Sequence, residues 1–116
     1  MNSVTSEQIL LWSKLGPRAV YGQTVQNLVE SNSFVIALSA DLGSSSGLDR
    51  LRRSNPDKFI NVGVAEQCLV GFSAGLAKEG LIPFVSTFAP FATMRAAEQI
   101  RMNLGYMNLN VKLVGI

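Results

Sequence analysis

Histidine is absent from all 116 residues, cysteine occurs once, at Cys68, and aromatic residues make up only 8% of the chain. Without histidine the chain holds no His-based catalytic triad and no His-containing metal site, so acid–base work falls to a carboxylate or to a bound cofactor. A single cysteine forms no intrachain disulfide, which fits a reducing setting. Its place between Gln67 and Leu69 on an apolar segment predicts a core thiol. No apolar run approaches membrane-spanning length, and Met1-Asn2-Ser3-Val4-Thr5 lacks the basic start and apolar core of a signal peptide. The expected setting is soluble and cytoplasmic. Gly-x-Gly-x-x-Gly and Walker loops are both missing, which removes the usual nicotinamide and nucleotide-phosphate signatures.

What is present is an apolar share of 47% against 16% charged residues. At this length that composition predicts one small domain with a real core, and an exterior more apolar than a small independent monomer prefers. Part of the surface is therefore expected to be an interface. The formal charge of +2 is carried by scattered basic residues apart from Arg50, Arg52 and Arg53. That cluster sits between turn-forming Gly47 and Pro56, where solvated charge is the ordinary explanation. No groove-reading or stacking motif surrounds it, so neither nucleic acid nor membrane is expected as a partner.

The pattern along the chain alternates helix and strand. Ser6 to Leu15 reads as a helix broken by Gly16 and Pro17, and Pro17 opens a second helix through Val20, Val25 and Leu28. Both are expected to cover one face of the downstream strands. Ser33 to Leu42 is a nearly continuous apolar run, as in a strand buried on both faces. Its end at Asp41 and the permissive loop Gly43-Ser44-Ser45-Ser46-Gly47 lie where ligands sit in open parallel sheets. A short basic helix over Ser46 to Ser54, a strand over Lys58 to Val62, a helix from Glu66 to Gly80, a strand over Leu81 to Phe88, a helix over Ala92 to Tyr106 and a strand over Val111 to Gly115 complete the pattern. The third long helix carries Leu69, Val70, Phe72, Leu76 and Ala77 on apolar positions. Gly71, Ala74 and Gly75 give it a small-residue face; because helical glycine costs roughly 1 kcal/mol relative to alanine, close contact is expected there. The predicted fold class is α/β, a three-layer parallel sheet with flanking helices and right-handed crossovers. It is expected to be incomplete at the C-terminus, because no helix covers the last strand.

Three strand ends carry the candidate chemistry: Asp41, Glu66, and Phe88 with Phe91. Each has a plain structural explanation. Glu66 suits the first turn of a helix, where an acid contributes about 0.3–1 kcal/mol through the helix dipole; Asp41 suits a turn, and the phenylalanines suit core packing.

Taken in order, Ser39-Ala40-Asp41-Leu42, Asn61-Val62-Gly63-Val64-Ala65-Glu66-Gln67, Gly71-Phe72-Ser73-Ala74-Gly75-Leu76-Ala77 and Pro83-Phe84-Val85-Ser86-Thr87-Phe88-Ala89-Pro90-Phe91 resemble the pyrimidine-binding domain of the transketolase family. The form it is most similar to is the C-terminal subunit of two-chain transketolases. The resemblance runs from Arg18 to Ile116 and continues through Arg95, Gln99-Ile100-Arg101 and Asn108-Leu109-Asn110-Val111. It divides the chain into an N-terminal helical segment, 1–16, and a partial pyrimidine-binding domain, 17–116.

The resemblance implies thiamine diphosphate chemistry. Glu66 matches the glutamate that hydrogen-bonds the pyrimidine N1′, so that the cofactor's own amino or imino group removes the thiazolium C2 proton. Burial beside apolar groups is expected to raise its pKa. Phe88 and Phe91 match the aromatic pocket around the ring, and Asp41 matches an acidic position near the cofactor. Met94 stands where many relatives offer an aromatic or basic side chain to the pocket wall, and Arg95 is expected to serve the helix surface. The diphosphate and Mg2+ motif has no counterpart in the chain, so the metal is expected on a partner domain or chain. The implied partner is a diphosphate-binding transketolase subunit in a hetero-oligomer, or a dimer of such pairs, acting on sugar phosphates by two-carbon ketol transfer. Two alternatives stand beside this: part of a 1-deoxy-xylulose-5-phosphate synthase or dehydrogenase beta subunit, or a noncatalytic assembly fragment.

Overall fold

The computed structural model describes residues 4–116, so residues 1–3 of the expected 1–16 segment lie outside the described residues. Helix α1 (Ser6–Leu15) starts on a capping box in which the Gln8 amide donates to Thr5 Oγ1 and the Thr5 amide donates to Gln8 Oε1. Gly16 and Pro17 break the chain as expected, and α2 runs over Pro17–Ser31. Strand β1 (Val35–Ser39) is buried along its whole length. After α3 (Asp49–Ser54) and β2 (Phe59–Asn61) come α4 (Glu66–Lys78), β3 (Ile82–Thr87), a composite helix over residues 91–106, and β4 (Lys112–Gly115).

All four strands are parallel, in the order β2-β1-β3-β4, with Ala37 opposite Phe59, Val35 opposite Ile82 and Phe84 opposite Lys112. The order reverses at β1, whose neighbours are the next strand on one side and β3 on the other. The period-2 alternation of β1 divides the core. Val35 and Ala37 pack with Val25, Val29, Leu48 and Leu51 under α2 and α3; Ile36, Leu38 and Ala40 pack with Leu69 and Val85 under α4. This is the three-layer parallel α/β arrangement expected from the sequence.

Local chemistry fixes the boundaries. At the end of α4, Gly80 adopts φ +91, its amide donates to the Ala77 carbonyl, and the Leu81 amide donates to the Leu76 carbonyl, a Schellman ending that turns the chain into β3. At the carboxyl end of β1, a Cβ on Gly22 would lie 2.0 Å from the Gly47 carbonyl oxygen, so α2 presses directly on the loop after the strand.

Four expectations need correction. Helix α1 buries none of its residues, so it does not cover the sheet; that face is covered by α2 and α3. Cys68 is exposed rather than a core thiol. The inward face of α4 is Glu66, Leu69, Val70, Ser73 and Ala74, which leaves Cys68 and Phe72 on the outer face. The close contact expected at the glycines is missing among the described residues: a Cβ at Gly75 would meet nothing within 4 Å, and one at Gly71 only the Asn103 amide nitrogen at 3.9 Å. Finally, the last helix is not uniformly α. Phe91–Arg95 and Ile100–Tyr106 are π-helical, on either side of one α turn at Ala97–Gln99.

Candidate functional site

The carboxyl ends of β1, β2 and β3 open onto one edge of the sheet, and Asp41, Glu66, Phe88 and Phe91 each lie within a few residues beyond such an end. The chain leaves β2 through Gly63, at φ +76, and enters α4 directly at Glu66. The first helical turn faces the sheet, so the Glu66 side chain is only 4% exposed, yet it belongs to the outermost turn rather than the deep core. A carboxylate there needs a partner, because an unpaired buried charge is strongly unfavourable.

Arg95 provides it. Its Nη1 lies 3.0 Å from Glu66 Oε2, and no other side chain pairs with that carboxylate among the described residues. Desolvation is the largest influence on the Glu66 pKa and pushes it up. The hydrogen bond from its own backbone amide, and the hydrogen bond and charge of Arg95, together outweigh it, so the carboxyl lies below the usual glutamate value. This corrects the expectation that burial would raise it.

The same guanidinium lies over the ring of Phe91, with Cζ 4.0 Å from the ring centroid. Phe88 meets Phe91 edge-to-face, centroids 6.0 Å apart and planes at 66°. The Gln67 side-chain amide donates to the Arg95 carbonyl oxygen at 3.1 Å, tying the first turn of α4 to the π-helical stretch. Thr87, the last residue of β3, shares the α4 face of the sheet with Val85; its hydroxyl is buried and has no hydrogen-bond partner. Arg95 therefore links Glu66 to Phe91, and through it to Phe88, where α4 and the 91–106 helix meet, and Thr87 precedes Phe88 at the end of β3.

Asp41 and Met94 stand apart from this group. Asp41, at φ +59, forms a reciprocal pair with Asn61: its amide donates to Asn61 Oδ1 and its Oδ1 accepts from Asn61 Nδ2, both at 2.9 Å. Asn61 Oδ1 also accepts from the Gly63 amide, so this pair shapes the turn leading to Glu66. The Met94 side chain is 78% exposed and points away from the core.

Sequence reasoning misses the site roles of Arg95, Gln67, Asn61 and Thr87. Arg95 has one local signal: it lies four residues after Phe91, one helical turn away, where a cation reaches an aromatic face. Its ion pair with Glu66 spans elements separated by a strand and has no signature in local spacing.

Chemically, the group offers an ionised carboxylate with one oxygen free of side-chain partners, a buried hydroxyl awaiting a partner, and two aromatic rings. That set suits a planar nitrogen heterocycle that donates a hydrogen bond to the carboxylate and stacks on a ring.

Known proteins share this architecture. A 6-deoxy-6-sulfo-D-fructose transketolase subunit from Clostridium sp. (strain MSTE9) is 38% identical over 84% of this chain and 30% of that protein. A 1-deoxy-D-xylulose-5-phosphate synthase from Synechococcus sp. (strain CC9605) is 41% identical over 82% of this chain and 15% of that protein. Among solved structures, a split-gene transketolase in an inactive β4 tetramer superposes with a TM-score of 0.77 and 43% identity, over 84% of this chain and 33% of that one. The chain thus spans less than a third of the length of the curated relatives it matches. The family model for the transketolase pyrimidine-binding domain matches residues 13–116, nearly all of the chain, and the protein belongs to that family.

Proposed function

We propose that residues 17–116 form the pyrimidine-binding half of a thiamine diphosphate site for two-carbon ketol transfer from a ketose phosphate to an aldose phosphate, with residues 1–16 as a helical lead-in. The observation that carries this reading is the buried Glu66 carboxylate, set at a helix start beside the Phe88 and Phe91 pair. When bound, thiamine diphosphate supplies the nucleophilic carbon for carbon–carbon cleavage.

The chain's own part is positioning and proton holding. Glu66 engages the ring nitrogen N1′ through its carboxyl group, in a partly dry environment that strengthens the hydrogen bond. Phe88 and Phe91 wall the ring, Thr87 offers a hydroxyl beside them, and the Asp41–Asn61 pair fixes the turn that aims α4 at the site. Met94 is left free to meet a partner surface.

A second chain or domain completes the site in this reading by holding the diphosphate through Mg2+. The outer face of α4 supports such a partner. Gly71 and Gly75 each weaken the helix by roughly 1 kcal/mol relative to alanine, yet nothing among the described residues uses the space they leave. Phe72 is exposed on that same face.

The similarity to 1-deoxy-D-xylulose-5-phosphate synthases is comparable and favours one alternative, part of such a synthase. The test mixes this chain with its candidate diphosphate-binding partner, thiamine diphosphate and Mg2+. It assays ketose-to-aldose transfer beside formation of 1-deoxy-D-xylulose 5-phosphate, with each chain alone as control. Transfer in the mixture, abolished by Glu66→Gln, is expected; formation of 1-deoxy-D-xylulose 5-phosphate instead would select the alternative, and a confirmed complex with neither activity would overturn both.

A further inference from the structure

We propose that Arg95 is a built-in stand-in for the cofactor's pyrimidine ring: its guanidinium occupies the Glu66 carboxylate and the Phe91 face in the unloaded chain, and its side chain must withdraw for the ring to enter. The inference rests on the function proposed above. It arises from a coincidence of two contacts in one planar group. The guanidinium donates from Nη1 to Glu66 Oε2 at 3.0 Å while lying 4.0 Å from the Phe91 centroid. A flat nitrogen-bearing group with one edge on a carboxylate and its face on a phenylalanine makes the two contacts assigned to the pyrimidine.

The surroundings fit a movable side chain on a fixed backbone. The Arg95 carbonyl is held by the Gln67 amide, and the Ala96 amide donates to the Phe91 carbonyl oxygen at 3.0 Å, which fixes the π-helical turn. The Arg95 side chain is half exposed and borders an open hollow lined by Val64, Ala65, Glu66, Gln67 and Cys68. It can leave Glu66 and Phe91 without unfolding any element.

Its presence also solves a storage problem. A buried carboxylate and a bare aromatic face would otherwise rearrange in the unloaded chain, and the guanidinium keeps both in place. In doing so it holds Glu66 ionised, whereas sharing a proton with a ring nitrogen requires a carboxyl that binds protons more readily. Withdrawal of Arg95 removes that influence at the moment the ring arrives. Arg95 is thus a positioning residue that sets the loading step.

Two readouts test this. In the chain alone, the Glu66 carboxyl is followed by carbon NMR of 13C-labelled glutamate across acid pH. Arg95→Ala is expected to move its midpoint upward and Arg95→Lys to fall between; an unmoved midpoint would show that the ion pair does not form. In the assembly with the diphosphate-binding partner, calorimetric titration with thiamine diphosphate and Mg2+ is expected to give about tenfold tighter binding for Arg95→Ala, the loss of a competing contact worth ~1.4 kcal/mol. Equal or weaker binding would mean that Arg95 supports the bound ring and would overturn the proposal. A wild-type assembly that fails to bind thiamine diphosphate sinks the proposed function, and this inference with it, while the carboxyl titration still reports whether the ion pair exists.

Discussion

Asp41 and Glu66 both lie just past strand ends on one edge of the sheet, yet their surroundings differ in every physical respect. Asp41 is exposed, in a left-handed turn, and tied to the neutral amide of Asn61. Glu66 is buried, at a helix start, and tied to a guanidinium. The first arrangement builds a turn from a short polar side chain. The second sequesters a charge at a place where the fold gains little from it, since breaking a buried pair is unfavourable but making one is close to neutral. The difference separates a carboxylate that shapes the chain from one that is buried and paired with a charge.

The strongest way to break this contrast is Glu66→Gln in the reconstituted assembly. We expect a loss of about 100-fold or more in ketol transfer, the scale of one lost proton-handling group, with the melting temperature of this chain little changed. Transfer within about twofold of wild type would erase the distinction, since a proton-handling group is worth far more. On the other side, Asn61→Ala removes the hydrogen bonds to Asp41 and Gly63. It is expected to lower stability by about 1–2 kcal/mol, read from the urea midpoint, and to reduce cofactor affinity only by loosening the entry to α4.

Acid makes a subtler comparison. The folded pKa of Glu66 lies below its unfolded value of 4.5. Relative to the protonated carboxyl, the ionised pair therefore favours the fold above pH 4.5, and that contribution fades as pH falls through the lower folded value. Arg95 is the charged group facing it. Thermal melts from about pH 6 down to about pH 3, a window spanning the glutamate range, should fall more steeply for wild type than for Glu66→Gln. Parallel curves would show that the pair contributes nothing to folding. The smallest effect is expected from Asp41→Asn, which keeps an acceptor at Oδ1 and tolerates positive φ. A change within about 0.5 kcal/mol is expected in chemical denaturation.

The core strands are legible in the sequence because their signals are local. The apolar run around Val35–Ser39, the Gly80 stop and the Gly16–Pro17 break each carry their meaning within a few residues. Glu66, Phe88 and Phe91 are visible for the same reason, through ordered short motifs. Arg95 reads as a helix-surface residue because two things intervene: its partner lies beyond β3, and the π-helical stretch displaces side chains from the 3.6-residue spacing on which a surface assignment depends. Cys68 and Phe72 read as inward because α4 is apolar on more than one side. Periodicity cannot choose an inward face when the outer face is also apolar, as it is on α4.

The strand order carries a consequence for how the chain acquires its structure. β1 is one of two interior strands and the most apolar, but Ala37 pairs with Phe59 and Val35 with Ile82, both far downstream. During synthesis, β1 leaves the ribosome well before β3 exists. Such non-local parallel pairing closes slowly and leaves a strongly apolar segment uncovered in the interval. Refolding yield should therefore fall with protein concentration, and the Ser33 to Leu42 stretch is where chaperones would engage the nascent chain.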